Sequence, residues 1–96
     1  SLAGEVILID HFGNAVTNLR PADLGDPPPG SWRFEAAGAE IMGPVTHYGA
    51  VAPGQPLVIE GSLGYYEVAL NRGNAATTLG LTRGTRVQAF GQREVD

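Results

Sequence analysis

Glycine and proline recur along the whole chain and set the strongest limit on its fold. Fourteen glycines and seven prolines are distributed over 96 residues. Proline lacks a backbone N–H donor and glycine is costly inside a helix, so this density breaks long helices and supplies many turns. The pieces between the breaks are short apolar or alternating runs, which are typical of strands. A helical bundle is therefore disfavoured, and one small all-β domain is predicted.

The strand pattern predicts an antiparallel β-barrel, closed or partly open, in a single domain covering residues 1–96. We expect six to seven short strands and at most one short helix. Extended segments are predicted at 5–10, 15–19, 31–36, 39–42, 45–51, 57–60, 65–70 and 85–90, the helix at 74–81, and a polar tail at 92–96. The uninterrupted apolar run of the first segment is typical of a strand buried on both faces. Trp32 and Phe34 are expected on the core face of a hairpin.

Charge and residue types argue against several classes of function. Ten acidic residues face six basic ones, all of them arginine, for a net charge of −4. Scattered arginines on an acidic chain do not make the clustered basic face that nucleic-acid binding needs. Without cysteine there is no disulfide, thiolate metal site or cysteine nucleophile, and two distant histidines predict no metal site. No apolar run could span a bilayer and no signal-peptide pattern is present, so no membrane partner and a cytoplasmic location are expected.

The densest polar group in the sequence is the segment 10–14, directly after the first predicted strand. Loops at strand ends are common places for binding residues. Asp10 could accept an ammonium or hydroxyl donor, Phe12 offers a face for stacking, and Asn14 presents both a donor and an acceptor. The alternative is a plain turn, in which Asp10 caps the backbone and Gly13 takes a positive φ.

A second concentration covers residues 61–76. Ser62 and its neighbouring amides lie in a tight turn that could bind a carboxylate. Glu67 stands inside an otherwise apolar strand, and the loop containing Asn71 and Asn74 could bring its backbone close to a planar ligand. The alternative is that the glycines only shape turns and that Glu67 faces water.

Together, the two segments resemble a known family. Residues 9–19 are similar to the I-D-x-F-G-N-x-x-T-N-[IL] signature of the S-adenosyl-L-methionine hydroxide adenosyltransferases, which are related to fluorinases and chlorinases. Residues 61–76 resemble the second block of that family, roughly G-S-x-G-x-x-E-[IV]-A-x-N-x-G-x-A-A. Tyr48 precedes this block by about the family's spacing for an aromatic residue at the adenine. The resemblance covers nearly the whole chain, but only the C-terminal domain of the family.

This resemblance implies a small β-barrel that follows a larger α/β domain, and that N-terminal domain is absent from the 96 residues. In the family, the active site lies at a subunit interface of a trimer, between the N-terminal domain of one subunit and the C-terminal domain of its neighbour. The expected partners are therefore S-adenosyl-L-methionine or adenosine, the N-terminal domain and neighbouring subunits. S-adenosyl-L-methionine is the substrate, and no cofactor is expected.

The resemblance also implies roles for particular residues at the amino-acid end of the substrate. Asp10 and Ser62 would hold that end, with the backbone around Leu63 near the carboxylate. Glu67 matches the hydrolase-type pattern, and Asn71 matches the second block. Leu63 stands where the halogenating enzymes have an arginine, so fluorinase-like chemistry is disfavoured.

At the nucleoside end, Asn14 would form hydrogen bonds with adenine, assisted by backbone groups around Asn74 and Ala75. Phe12 and Tyr48 would pack on the nucleoside. The groups that activate water lie in the N-terminal domain of the family, so no residue of this chain is predicted to be catalytic.

We therefore expect the ligand-binding C-terminal part of an adenosine-forming S-adenosyl-L-methionine hydrolase, with the 96-residue chain inactive alone. The sulfonium is a good leaving group, so the protein mainly has to position the ligand and remove solvent from the nucleophile. Two alternatives stay open: a stand-alone nucleoside-binding module that has lost the chemistry, and a structural or oligomerisation module without catalysis.

Overall fold

A computed structural model describes residues 1–91, and the predicted polar tail at 92–96 lies outside the described residues. Seven strands and one α-helix occur within this range: β1 Leu2–Ile9, β2 Ala15–Thr17, β3 Trp32–Ala36, β4 Ala39–Gly43, β5 Pro56–Glu60, β6 Tyr66–Leu70, α1 Ala75–Leu79 and β7 Arg86–Gly91. Short 3₁₀ turns cover Pro21–Leu24 and Tyr48–Ala50. The all-β class and the single short helix are confirmed.

The strands form one antiparallel sheet that curls into a nearly closed barrel. Their order is β4-β3-β7-β1-β2-β6-β5, so the two edges are β4 and β5. Val45, two residues beyond β4, forms a parallel bridge with Ile59 of β5, and its N–H donates to the carbonyl of Val58 at 2.8 Å. The edges thus approach each other without a full ladder, as expected for a partly open barrel.

The core fills the inside of the barrel. Phe34 of β3 is fully buried and meets the ring of Tyr66 edge to face, with 6.0 Å between ring centroids. Trp32 is half-buried against the same cluster, so the expected core face of the hairpin is confirmed. Asn74 caps α1, which packs on this core through the fully buried Ala75.

The prediction that the first strand is buried on both faces is wrong. β1 begins at Leu2, and Val6 is its only buried residue, whereas Leu8 and Ile9 are exposed. A change of register between Val6 and Leu8 interrupts the pairing with β2. In an antiparallel sheet one face can remain uncovered, so an unbroken apolar run does not require burial on both sides.

The prediction of an extended segment at 45–51 is also wrong beyond Val45. The chain turns at Tyr48–Ala50, where the Ala50 N–H donates to the His47 carbonyl at 3.2 Å. The side chain of Asn71 donates to the Val51 carbonyl at 2.8 Å and holds the end of this turn. A tertiary contact thus overrides the local extended preference, and it fixes the segment that carries Tyr48.

Candidate functional site

The loop after β1 is held by the carboxylate of Asp10. Its Oδ1 accepts the backbone N–H groups of Phe12 and Asn14, both at 2.9 Å. The Gly13 N–H donates to the Asp10 carbonyl at 3.1 Å, and Gly13 has a φ of +83°. This is the Asx-type turn that the sequence offered as the plain alternative. The same bonds fix the backbone that carries Phe12 and Asn14.

The two sequence blocks meet at Gly13 and Asn74. Asn74 caps α1 by accepting the Thr77 N–H at 2.9 Å, and the Ala76 N–H donates to the Gly13 carbonyl at 2.9 Å. A Cβ at Gly13 would overlap the side chain of Asn74. Glycine is therefore required at this position by both its φ and this close approach.

A polar cluster, defined as Asp10, Asn14, Tyr48 and Glu67, forms beside this junction. Asn14 Nδ2 donates to Asp10 Oδ2 at 3.2 Å and to the Tyr48 hydroxyl at 3.3 Å. Asn14 Oδ1 has no donor within residues 1–91. The cluster thus retains an unused amide acceptor, and Asp10 Oδ2 has capacity for a further donor.

Glu67 lies in the middle of β6, opposite Val16 on one side and Ile59 on the other, and is only 9% exposed. Glu67 is therefore largely buried, although its unpaired carboxylate oxygens keep access to solvent. Its carboxylate forms no hydrogen bond within the described chain and lies against Gly61, where a Cβ would collide with it. Burial, and secondarily the negative charge of Asp10, raises the pKa of Glu67.

The pKa of Tyr48 is shifted by the same neighbouring charges. Burial, followed by the negative charge of Glu67, raises the pKa of its phenol, although the hydrogen bond from Asn14 acts in the opposite direction. The phenol therefore stays neutral at physiological pH and can donate its proton to an acceptor. These electrostatic links show that Tyr48, Glu67 and Asp10 lie close enough to influence one another.

Ser62 and Leu63 lie at the exposed tip of the turn between β5 and β6. The Gly64 N–H donates to the Gly61 carbonyl at 3.0 Å and closes this turn. Leu63 is 66% exposed. Within residues 1–91 neither Ser62 nor Leu63 makes a hydrogen bond, so their amides and the Ser62 hydroxyl are accessible to a ligand. The turn adjoins the polar cluster through the contact of Gly61 with Glu67.

Two predicted site residues are used by the fold itself. Asn71 forms three bonds to the neighbouring loop, through its side chain to Val51 and through its backbone to Gln55 and Gly54. Ala75 is fully buried in the core, so only its backbone remains available for the implied contact with adenine. The structure thus gives Asn71 a positioning role and leaves the implied ligand contacts of both residues as predictions.

Exposed apolar side chains lie on the segments that carry or adjoin the polar cluster. We call this set the apolar rim: Leu8, Ile9, Phe12 and Leu63. Phe12 is the most exposed, at 74%. Exposed apolar patches mark interaction surfaces. The sequence pattern did not identify Leu8 and Ile9 as part of a site, because an apolar run before a polar loop looks the same whether its face is covered or not.

Within residues 1–91, no three His, Cys, Asp or Glu side chains come together as a metal site would require. No helix in that range is long and apolar enough to cross a bilayer.

Known proteins resemble this chain in both sequence and fold. A family model described as the SAM hydroxide adenosyltransferase C-terminal domain matches residues 4–88. Two curated relatives, both named (R)-S-adenosyl-L-methionine hydrolase, come from Thermus thermophilus and Salinispora tropica. They are 39% identical over 85 residues and 43% identical over 84 residues, and each match covers 88% of this chain. The chain spans only 31% of the length of either relative.

Two crystal structures share the fold. A conserved hypothetical protein from Thermus thermophilus superposes with a TM-score of 0.73 at 36% identity, covering 94% of this chain and 35% of that one. A conserved protein from Thermotoga maritima gives a TM-score of 0.74 at 31% identity, covering 91% of this chain and 34% of that one. The similarity therefore extends over nearly all of this chain and about a third of each larger protein.

Proposed function

Because this chain belongs to the SAM hydroxide adenosyltransferase family, whose C-terminal domain it represents, we propose that it is the substrate-positioning part of an S-adenosyl-L-methionine hydrolase. In that reaction the oxygen of water or hydroxide bonds to C5′ of the nucleoside as the C5′–sulfur bond breaks. The sulfur keeps the electron pair, and the products are adenosine, L-methionine and, from water, a proton. The names of the two curated relatives support this assignment.

The observation that carries the proposal is the polar cluster, in which both sequence blocks supply groups to one place. Asn14 Oδ1, which has no donor within residues 1–91, suits the exocyclic amine of adenine as a donor. The ring of Phe12 is exposed beside it and can stack on the nucleoside, as can that of Tyr48. The backbone at Asn74 would assist, and its close approach to Gly13 supports this role.

The amino-acid end of the substrate is proposed to lie between Asp10 and the 61–64 turn. Within residues 1–91, Asp10 Oδ2 accepts one hydrogen bond, from Asn14 at 3.2 Å, and it can attract the substrate ammonium. The accessible amides of Ser62 and Leu63 and the Ser62 hydroxyl suit the substrate carboxylate. Leu63 places no positive charge there, which favours attack by water or hydroxide over halide chemistry.

The remainder of the whole protein is proposed to cover the apolar rim. Displacement at C5′ requires a site from which bulk water is removed, and this chain leaves Phe12 and Leu63 largely exposed beside the polar cluster. The water-activating groups would then come from the N-terminal domain. A trimer, with a neighbouring subunit completing each site, is the arrangement we propose for the whole protein.

The decisive experiment incubates S-adenosyl-L-methionine with the whole protein that contains this chain and measures the release of adenosine by chromatography. We expect adenosine and L-methionine in equal amounts, and no turnover by the 96-residue chain alone. A folded whole protein that releases no adenosine would refute the hydrolase proposal. Calorimetric titration of adenosine then separates the alternatives, since a nucleoside-binding module would bind without turnover and a structural module would not bind.

Asn14→Ala tests the adenine contact directly. Removing the amide leaves polar groups of adenine unpaired, so adenosine binding to the whole protein should weaken by about 1–3 kcal/mol. Asn18→Ala is the matched control, because Asn18 bonds the Glu5 N–H outside the polar cluster. Equal adenosine affinities for the two folded variants, measured by calorimetry, would remove Asn14 from the site.

A further inference from the structure

A second recess, separate from the polar cluster, opens at the mouth of the barrel. It has a volume of about 250 Å³, and we call it the proline cleft, defined by Pro27, Pro29, Pro44, Asp26, Glu60 and Tyr66. Tyr66 and Glu67 are neighbours on β6, so their side chains point to opposite faces of the sheet. The proline cleft and the polar cluster therefore lie on opposite sides of the same strand.

The hydroxyl of Tyr66 is the first indication that the cleft receives a ligand. The residue is only 3% exposed, and its ring is fixed by the edge-to-face contact with Phe34. Its side chain nevertheless lines the cleft, and its hydroxyl makes no hydrogen bond within residues 1–91. Because no buried side-chain nitrogen or oxygen in residues 1–91 lacks a hydrogen-bond partner, the unpaired Tyr66 hydroxyl keeps access to solvent and is available to a bound molecule.

Two carboxylates provide the second indication. Glu60 lies directly opposite Tyr66 in the β5–β6 ladder, and Asp26 lines the same cleft. Neither carboxylate forms an ion pair or hydrogen bond with any group in the described part of the chain. The pKa of Tyr66 is raised mainly by burial, and further by the negative charge of Glu60 and then that of Asp26. The phenol is therefore neutral, and among the described residues that line the cleft two are acidic and none is an arginine.

We propose that the proline cleft binds an organic cation, namely an alkylammonium or guanidinium group on an aliphatic stem. The proline rings offer apolar contact to the methylene groups, as other proteins do for the stems of lysine and arginine. Glu60, Asp26 and the Tyr66 oxygen accept the N–H donors at its end. Calcium and magnesium prefer six or more oxygen ligands, which the apolar walls of the cleft do not supply. The volume suits a short chain rather than a drug-sized ligand.

The cation could be a free amine or the side chain of a lysine or arginine in a protein, and one titration distinguishes them. The isotopically labelled 96-residue chain is followed by amide NMR while butylammonium, butylguanidinium or a lysine blocked at both backbone ends is added. Butanol, sodium chloride and calcium chloride are the controls. We expect saturable shifts of the Glu60 and Tyr66 amides with the organic cations alone. Equal binding of blocked lysine and butylammonium shows that the cleft admits a lysine side chain attached to a peptide backbone, and exclusion of blocked lysine restricts the ligand to a free amine.

Substitutions of Glu60 and Tyr66 test whether these two residues bind the cation. Glu60→Gln should weaken butylammonium binding about twofold to fivefold, the range for an accessible ion pair. Tyr66→Phe keeps the ring on Phe34 and should weaken it about twofold to tenfold through the lost hydrogen bond. Glu5→Gln, which removes the same charge from an exposed position on β1, should leave binding unchanged. Shifts no larger than those with butanol, or a response to calcium only, would overturn the proposal.

Discussion

The contact between Gly13 and Asn74 joins the two halves of the candidate site, and Gly13→Ala measures what this contact contributes to stability. Gly13 has a φ of +83°, and an added Cβ would overlap the side chain of Asn74. Asn74 cannot move away freely, because its Oδ1 accepts the Thr77 N–H and caps α1. The variant must therefore adopt a strained backbone and also displace the helix cap.

The two costs can be estimated separately. A residue with a Cβ in the left-handed region costs roughly 1–2 kcal/mol relative to glycine. Loss of an asparagine N-cap costs about 1 kcal/mol in typical cases. The free energy of unfolding should therefore fall by about 2–3 kcal/mol, a large part of the 5–15 kcal/mol that is usual for a domain, with ~10 °C or more lost in Tm.

Urea unfolding followed by circular dichroism measures this loss, and Gly64→Ala is the matched control. Gly64 has the same φ of +83°, but nothing lies within 4 Å of its Cβ position. It should lose only the backbone cost, about 1–2 kcal/mol. In an Asn74→Ala background, Gly13→Ala should cost no more than Gly64→Ala, because the overlap has been removed. Equal losses for the two glycine variants in the native background would refute the role given to the Asn74 contact.

Two further predictions concern the groups around the polar cluster. Burial raises the pKa of Glu67 above 4.5, so the folded chain binds more protons than the unfolded chain once the pH exceeds that value. The free energy of unfolding therefore falls as the pH rises toward the pKa of the folded state. In urea unfolding, Glu67→Gln should thus gain stability relative to the native chain as the pH rises above 4.5, whereas Glu5→Gln should not; a pH-independent difference would contradict this. Asn71→Ala should lose about 1–2 kcal/mol with its bond to Val51 and speed amide exchange at Val51, and unchanged exchange there would exclude the positioning role.

Local pattern was sufficient for most of the fold, because short strands between glycines and prolines leave few alternatives. It failed at β1, where Leu8 and Ile9 are apolar yet exposed, since a sequence carries no direct record of which face is covered. It also failed at 45–51, where Asn71 holds Val51 and the chain turns at Tyr48. That contact joins residues twenty positions apart, and no local propensity encodes it.

The candidate site was likewise predictable from the sequence only in part. The residues of both blocks could be selected from the sequence through their resemblance to a family, but their contact could not be derived from periodicity. It depends on β2 lying between β1 and β6, which brings Asn14 and Glu67 to one side of the sheet. The face of the sheet to which Glu67 points could not be predicted either, because all five residues of β6 are buried and show no alternating pattern.

β6 contributes one polar side chain to each of the two recesses. It is covered on both faces, yet two adjacent residues, Tyr66 and Glu67, carry polar groups with no hydrogen-bond partner in residues 1–91. Elsewhere in the core the chain satisfies such groups, as with Thr17, whose hydroxyl donates to the Tyr66 carbonyl at 2.7 Å. No buried side-chain nitrogen or oxygen in residues 1–91 lacks a partner, so the unpaired oxygens of Tyr66 and Glu67 are the parts of these side chains that reach solvent. Since the two side chains face opposite ways, one strand presents an unsatisfied group to each recess, and each group is available to a different ligand.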